Sequence, residues 1–168
     1  MGLSIYAISN IKLSGNIIDD EPTDKDINVY PGTFNRIAGL EVGLYQASNK
    51  SNEFDFHAGS YGTYNWFRRN LSLMIYGQTS EVVWMNKDAF EGRPFYELID
   101  FSDCEGVFGP EVSEKLHSDF ETNRPNMIKY CLDNFINDDI AYDNVMEIYD
   151  DFTKAFKLAS KDGLVLFT

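Results

Sequence analysis

Residues Phe54–Gly77 read FDFHAGSYGTYNWFRRNLSLMIYG, and the period of the apolar residues changes part-way along them. Phe54 and Phe56 alternate with polar neighbours, as in a strand. Tyr64, Phe67, Leu71, Met74 and Ile75 recur at the spacing of one helix face. Between the two lies Gly59-Ser60-Tyr61-Gly62, where Ser60 or Thr63 suits a helix cap, and Gly77 stands where the helix should end. A strand–glycine turn–helix unit aims unpaired N–H groups and the positive end of a helix dipole at whatever occupies the turn. Glycines allow close approach, which suits a phosphate or carboxylate. The same residues also satisfy a serine-capped helix that binds nothing.

Working outward, LSIYAIS near the start alternates as a strand, and Leu40–Tyr45 is a further strand candidate. Residues 14–35 are rich in Gly, Asp, Asn and Pro and read as a long loop or insertion. Beyond Gly77, residues 78–94 carry no regular pattern, and Phe95–Phe101 reads as a buried strand that runs into the turn SDCEGVFGP. Pro110 opens a helix with Val112, Leu116 and Phe120 inward. Pro125 is expected to open another, carrying Ile128, Cys131, Leu132 and Phe135 on one face. Tyr142, Val145, Met146, Tyr149, Phe152, Phe156 and Ala159 mark the strongest helix, and LVLFT ends the chain as a strand. Strands first and helices later predict an α+β fold, a small and mostly antiparallel sheet packed against about four helices.

A chain of 168 residues has the length of one domain and can bury a core without staples, so residues 1–168 are read as a single domain. Aromatic residues at 15% argue against disorder and offer surfaces for stacking on a flat ligand. Twenty-seven acidic against fourteen basic residues give a net charge of −13, which opposes binding to nucleic acid or to an anionic membrane. That acidity fits solubility, nucleic-acid mimicry or docking to a basic protein. Cys104 and Cys131 form no CxxC pair, no signal-peptide pattern precedes them, and no apolar run has bilayer length. Gly2 is followed by Tyr6, where a myristoylation signal needs Ser or Thr. The expectation is a cytoplasmic protein.

Two constellations carry chemistry. In the first, the Gly62 amide, Ser60 and Asn65 donate to a ligand, Arg68 or Arg69 pairs with its phosphate, and Tyr61, Tyr64 and Trp66 line or stack on its rings. In the second, Asp100 near the end of the Phe95–Phe101 segment is joined by Ser102, Asp103 and Glu105 just after it. Such carboxylates could hold ribose hydroxyls, amines or a hard cation, or could merely cap a local turn. Two nucleophile readings are weaker. Ala58–Gly62 approximates a nucleophile elbow, but His57 adjoins it too closely in sequence to serve as a triad base. Cys104 is flanked by Asp103 and Glu105, which disfavour a thiolate. No catalytic residue, metal ligand or cofactor is assigned.

The blocks GSYGTYNWFR, LIDFSDCEGVFGPEVSEKL, FTKAFKLA and KDGLVLF resemble the signatures of a family of small proteins encoded in bacteriophages, prophages and bacterial genomes. The likeness covers the first strand and most of residues 54–168, leaving 10–50 without counterpart. Ser4 stands where the family has aspartate, and His57 where it has arginine. No activity is assigned to that family, so the resemblance implies a shared polar constellation rather than a reaction. Its setting implies a phage-encoded inhibitor of bacterial defence signalling that sequesters a nucleotide-like or phosphorylated molecule without catalysis, with homo-oligomerisation open. The alternatives are a metal-dependent phosphodiesterase acting on such a signal, and an acidic protein that blocks a host defence protein.

Overall fold

The structure, a computed structural model, describes residues 2–17, 26–32 and 35–168. Among them are two antiparallel sheets and six helices, an α+β fold. The strands are β1 (Gly2–Ile8), β2 (Ile11–Gly15), β3 (Asp26–Val29), β4 (Gly43–Ala47), β5 (Glu53–Ser60), β6 (Gly106–Phe108) and β7 (Leu164–Phe167). The helices are α1 (Tyr61–Tyr76), α2 (Ser80–Met85), α3 (Lys87–Phe90), α4 (Tyr96–Ile99), α5 (Pro110–Asn134) and α6 (Asp139–Ala159). The larger sheet has the order β5-β1-β7-β6 and the smaller β2-β4-β3.

Side-chain alternation divides the core in two. Leu3, Ile5 and Ala7 of β1, Phe108 of β6, and Val165 and Phe167 of β7 face the core shared with α1, α5 and α6. The residues between them, Tyr6 and Ile8, Val107, Leu164 and Leu166, pack instead with Ile11, Val29 and Tyr45 of the smaller sheet. A central strand buried on both faces accounts for the near-continuous apolar run LVLF. The helix side is dominated by rings: Phe120, Phe152 and Phe156 stack within 6.2 Å of one another, and Phe101, Phe108 and Phe167 form a second group. Most of the aromatic content is therefore core, and not surface for a ligand.

Several expectations are corrected. Phe95–Phe101 is not a strand. Phe95 adopts φ 63° and the next four residues close one helical turn, α4, with the Phe95 N–H donating to Asp119 at 2.9 Å. Pro125 opens no new helix, because α5 runs through it as one 25-residue element. The expected loop at 14–35 contains β3 and the last residues of β2, paired to either side of β4, while 18–25 and 33–34 lie outside the described residues. Residues 78–94 include the short helices α2 and α3. The glycine-bracketed turn, by contrast, is a strand–helix junction as expected. Gly59 takes φ 82°, Ser60 caps α1 by accepting from the Thr63 N–H at 3.1 Å, and Gly77 ends the helix at φ 64°.

Candidate functional site

The α1 helix turns Asn65 and Arg68, one turn apart, toward the segment that leaves α4. Arg68 is only 3% exposed. Its guanidinium donates to the carbonyls of Ile99 (3.4 Å) and Phe101 and to Oδ1 of Asn65. It is sandwiched between the rings of Tyr64 and Trp84, with centroids 4.8 and 5.2 Å away. Asn65 passes the contact on, its Nδ2 donating to Asp103 at 2.8 Å. Ser102 organises the turn beside it by accepting from the N–H groups of Cys104 (3.3 Å) and Glu105 (3.2 Å).

A second group faces these residues. Asp100 takes Lys87 at 2.8 Å, Arg36 at 3.0 Å and the Tyr96 hydroxyl at 3.1 Å. Burial, and then the Asp100 carboxylate, push the Tyr96 hydroxyl up to about 12, so it remains a donor. Arg36 also lies 5.9 Å from the Tyr96 ring centroid. Together the two groups line an open cleft of about 930 Å3 with Trp84 and Phe101 in its walls. Arg36, Arg68 and Lys87 balance Asp100, Asp103 and Glu105 there, so the cleft is locally neutral in a chain of net charge −13. Across the 104–106 turn lies a smaller cleft of about 530 Å3, bordered by Tyr30, Asn35, Leu166 and Phe167 and sharing Cys104 and Glu105 with the first.

The structure thus brings together Asn65, Arg68, Asp100, Ser102, Asp103 and Glu105. The others expected with them stand elsewhere. Ser60 is spent on its cap and on a 2.9 Å contact with Thr63 Oγ1. Gly62 is an exposed residue in the first turn of α1, and Tyr61 packs against the main core. Trp66 stacks on Phe135 at 5.7 Å, and Arg69 reaches out toward Glu81 at 3.9 Å. Tyr64 is fully buried beneath Arg68, where burial raises its hydroxyl pKa despite the nearby guanidinium. The groove beside the Gly59 turn is lined by Glu147 and Asp151, together with His57 and Thr63. Carboxylates of the chain itself line that groove, which disfavours an anion beside the turn. Among the described residues the hydrogen-bond partners of Ser60 Oγ are the hydroxyl and the N–H of Thr63, and no histidine is bonded to it.

Sequence reasoning missed Arg36, Trp84, Lys87 and Tyr96. Tyr96 was hidden by its assignment to a strand, and Trp84 by a short apolar island without a period. Arg36 arrives through a pairing that no local pattern encodes: its N–H donates to Val107 O at 2.8 Å and its carbonyl accepts from Gly109 at 2.8 Å, along the free edge of β6. The three carboxylates of the second constellation line one cleft without closing on a common point. Among the described residues no group of three His, Cys, Asp or Glu side chains is placed to hold a metal ion.

Compared with models of protein families, with curated proteins and with solved structures, the chain finds no match. Among the described residues no helix is long and apolar enough to cross a membrane.

Proposed function

We propose that the cleft between α1, α4 and the 100–105 turn binds a small phosphorylated or nucleotide-like molecule and holds it without chemical change. The observation that carries this reading is Arg68. Among the described residues it is a buried cation with no carboxylate on its guanidinium and no partner for its Nε, and it lines an open cleft. Its charge is met at longer range by Glu81 and, through Asn65, by Asp103, and an anionic group entering the cleft would pair with it directly. Lys87, with a side chain 57% exposed, stands at the mouth as a second cation. Trp84 and Tyr96 offer ring surface, and Asp103 and Glu105 offer acceptors for hydroxyls or amines.

Binding is favoured over catalysis because neither histidine lines the cleft and its carboxylates are committed to Arg36, Lys87 and Asn65 or stand apart. With the phage setting that the sequence blocks imply, sequestration of a signalling nucleotide is the biological form of this reading.

Thermal-shift titration with inorganic phosphate, AMP, ATP and adenosine is the direct test. Cys104 is the exposed thiol and lines the cleft, whereas Cys131 is buried, so alkylation of Cys104 reports occupancy. The expected result is a raised Tm with phosphorylated compounds, protection of Cys104, a weaker effect in Lys87→Ala, and recovery of the compound intact. No shift and no protection with any phosphorylated compound overturns the proposal, and a converted compound shows an enzyme instead.

A further inference from the structure

The α5–α6 hairpin presents an apolar tip that nothing among the described residues covers. Leu132 in the last turn of α5, Ile136 in the connection and Ile140 in the first turn of α6 are 59, 74 and 75% exposed. All three lie at the same end of the hairpin, because α5 ends at Asn134 and α6 begins at Asp139. The connection is held firmly. Phe135 N–H donates to Cys131 O (2.8 Å), Asp138 N–H to Phe135 O (3.0 Å), and Asp138 caps α6 through the Ala141 N–H (3.0 Å). Beneath the tip Phe135 is wedged against Trp66 and Tyr130, with centroids 5.7 and 6.3 Å away. The apolar side chains are thus displayed on a rigid base.

Charge selects the occupant. From Tyr130 to Thr153 the chain has no lysine or arginine, against Asp133, Asp138, Asp139, Asp143, Glu147, Asp150 and Asp151. The neighbouring cations are committed, Lys129 to Asp133 at 2.6 Å, Lys154 to Asp151 at 2.9 Å, Arg124 to Asp150 and Arg69 toward Glu81 at 3.9 Å, which leaves Asp138, Asp139, Asp143 and Glu147 outside any ion pair among the described residues. A second copy of this chain would bring another −13 to the contact, and an anionic lipid surface would be repelled. We infer that the hairpin tip is a protein-docking surface whose partner presents apolar side chains ringed by lysine or arginine, in the manner of a basic amphipathic helix. The site lies on a different helix pair from the cleft, and it stands whether or not the cleft binds a nucleotide.

The test uses the full chain and a fluorescent fourteen-residue helical peptide of leucine and lysine with one apolar face, followed by anisotropy at low and moderate salt. Wild type should bind, more weakly as salt rises. The pair Ile136→Ser and Ile140→Ser should lose at least about tenfold in affinity, since both side chains forfeit their burial on binding. Both side chains are exposed, so circular dichroism should show an unchanged melting curve. Met85→Ser, at an 81% exposed methionine on α2, should bind as wild type does. Equal binding of the serine pair overturns the inference. So does equal affinity for an all-lysine peptide, which would show charge attraction alone, or a dimer of the free chain that the serine pair dissolves.

Discussion

Two adjacent arginines in α1 have opposite lives. Arg68 is wedged between two rings and holds the carbonyls at the end of α4, while Arg69 has a side chain 52% exposed and a distant partner. Arg68→Ala removes donors from the Phe101 carbonyl and Asn65 and opens a hole between Tyr64 and Trp84. Its expected cost is about 2–4 kcal/mol of stability. Arg69→Ala should change stability by less than about 0.5 kcal/mol, as exposed ion pairs do. Urea unfolding of both variants checks this, and equal costs would show that the guanidinium stack is not structural. Sequence offered either arginine as the partner of a phosphate and could not separate them. What separates them is a helix, α4, whose location no local pattern gives.

At the level of elements, the long helices and the two strands at the ends of the chain were legible because each has one dominant face. The Tyr142–Ala159 stripe is α6, and the Ser60 and Gly77 boundaries of α1 stand where cap chemistry puts them. The failures fall where tertiary contacts override local signals. Phe95–Phe101 is apolar enough for a strand, yet its residues are buried on one turn of helix among α1 and α5. Pro125 carries the strongest local stop signal in α5, and packing of α5 along α6, with the Arg124–Asp150 pair beside it, carries the helix through. The second half of the candidate site was legible as a polar turn, but its cations were not, since Arg36 and Lys87 meet Asp100 from segments distant in sequence. Pro125 supplies no N–H for the Glu121 carbonyl and is exposed, so Pro125→Ala should stabilise the protein by about 1–3 kcal/mol. A lower urea midpoint would mean that α5 needs its proline to meet α6.

Across the whole molecule, burial holds a set of tyrosine hydroxyls in the neutral form. Tyr6 and Tyr96 are pushed up to about 12, and Tyr64, Tyr76 and Tyr149 are raised as well, in each case chiefly by burial. In the unfolded chain these groups titrate near about 10. Above that pH the unfolded state gives up protons that the native state keeps, so stability present below pH 10 falls as pH rises toward 12. The buried Cys131 thiol, raised to about 11, adds the same sign from a lower starting point. Urea midpoints should therefore hold between pH 7 and 9 and decline steeply above 10, with tyrosinate absorbance appearing together with loss of the far-ultraviolet signal. A midpoint constant to pH 11.5 would contradict this account.

The order β5-β1-β7-β6 also governs when the protein can exist. Its two inner strands, β1 and β7, lie at opposite ends of the described residues and are bonded from Ile5–Phe167 to Ile8–Leu164. During synthesis β1 has only β5 beside it, and one flank with its row of N–H and C=O groups waits until residue 167 has been made. The α5–α6 hairpin can form early from neighbours in sequence, but the sheet surface it covers is completed last. Assembly is therefore a late and non-local event, slow by the rule that distant pairings cost loop entropy before they return contacts. A chain halted before β7 would leave Phe108 without Phe167 and the β1 edge from Ile5 to Ile8 unpaired, which makes Leu164–Phe167 the timing element of this sheet.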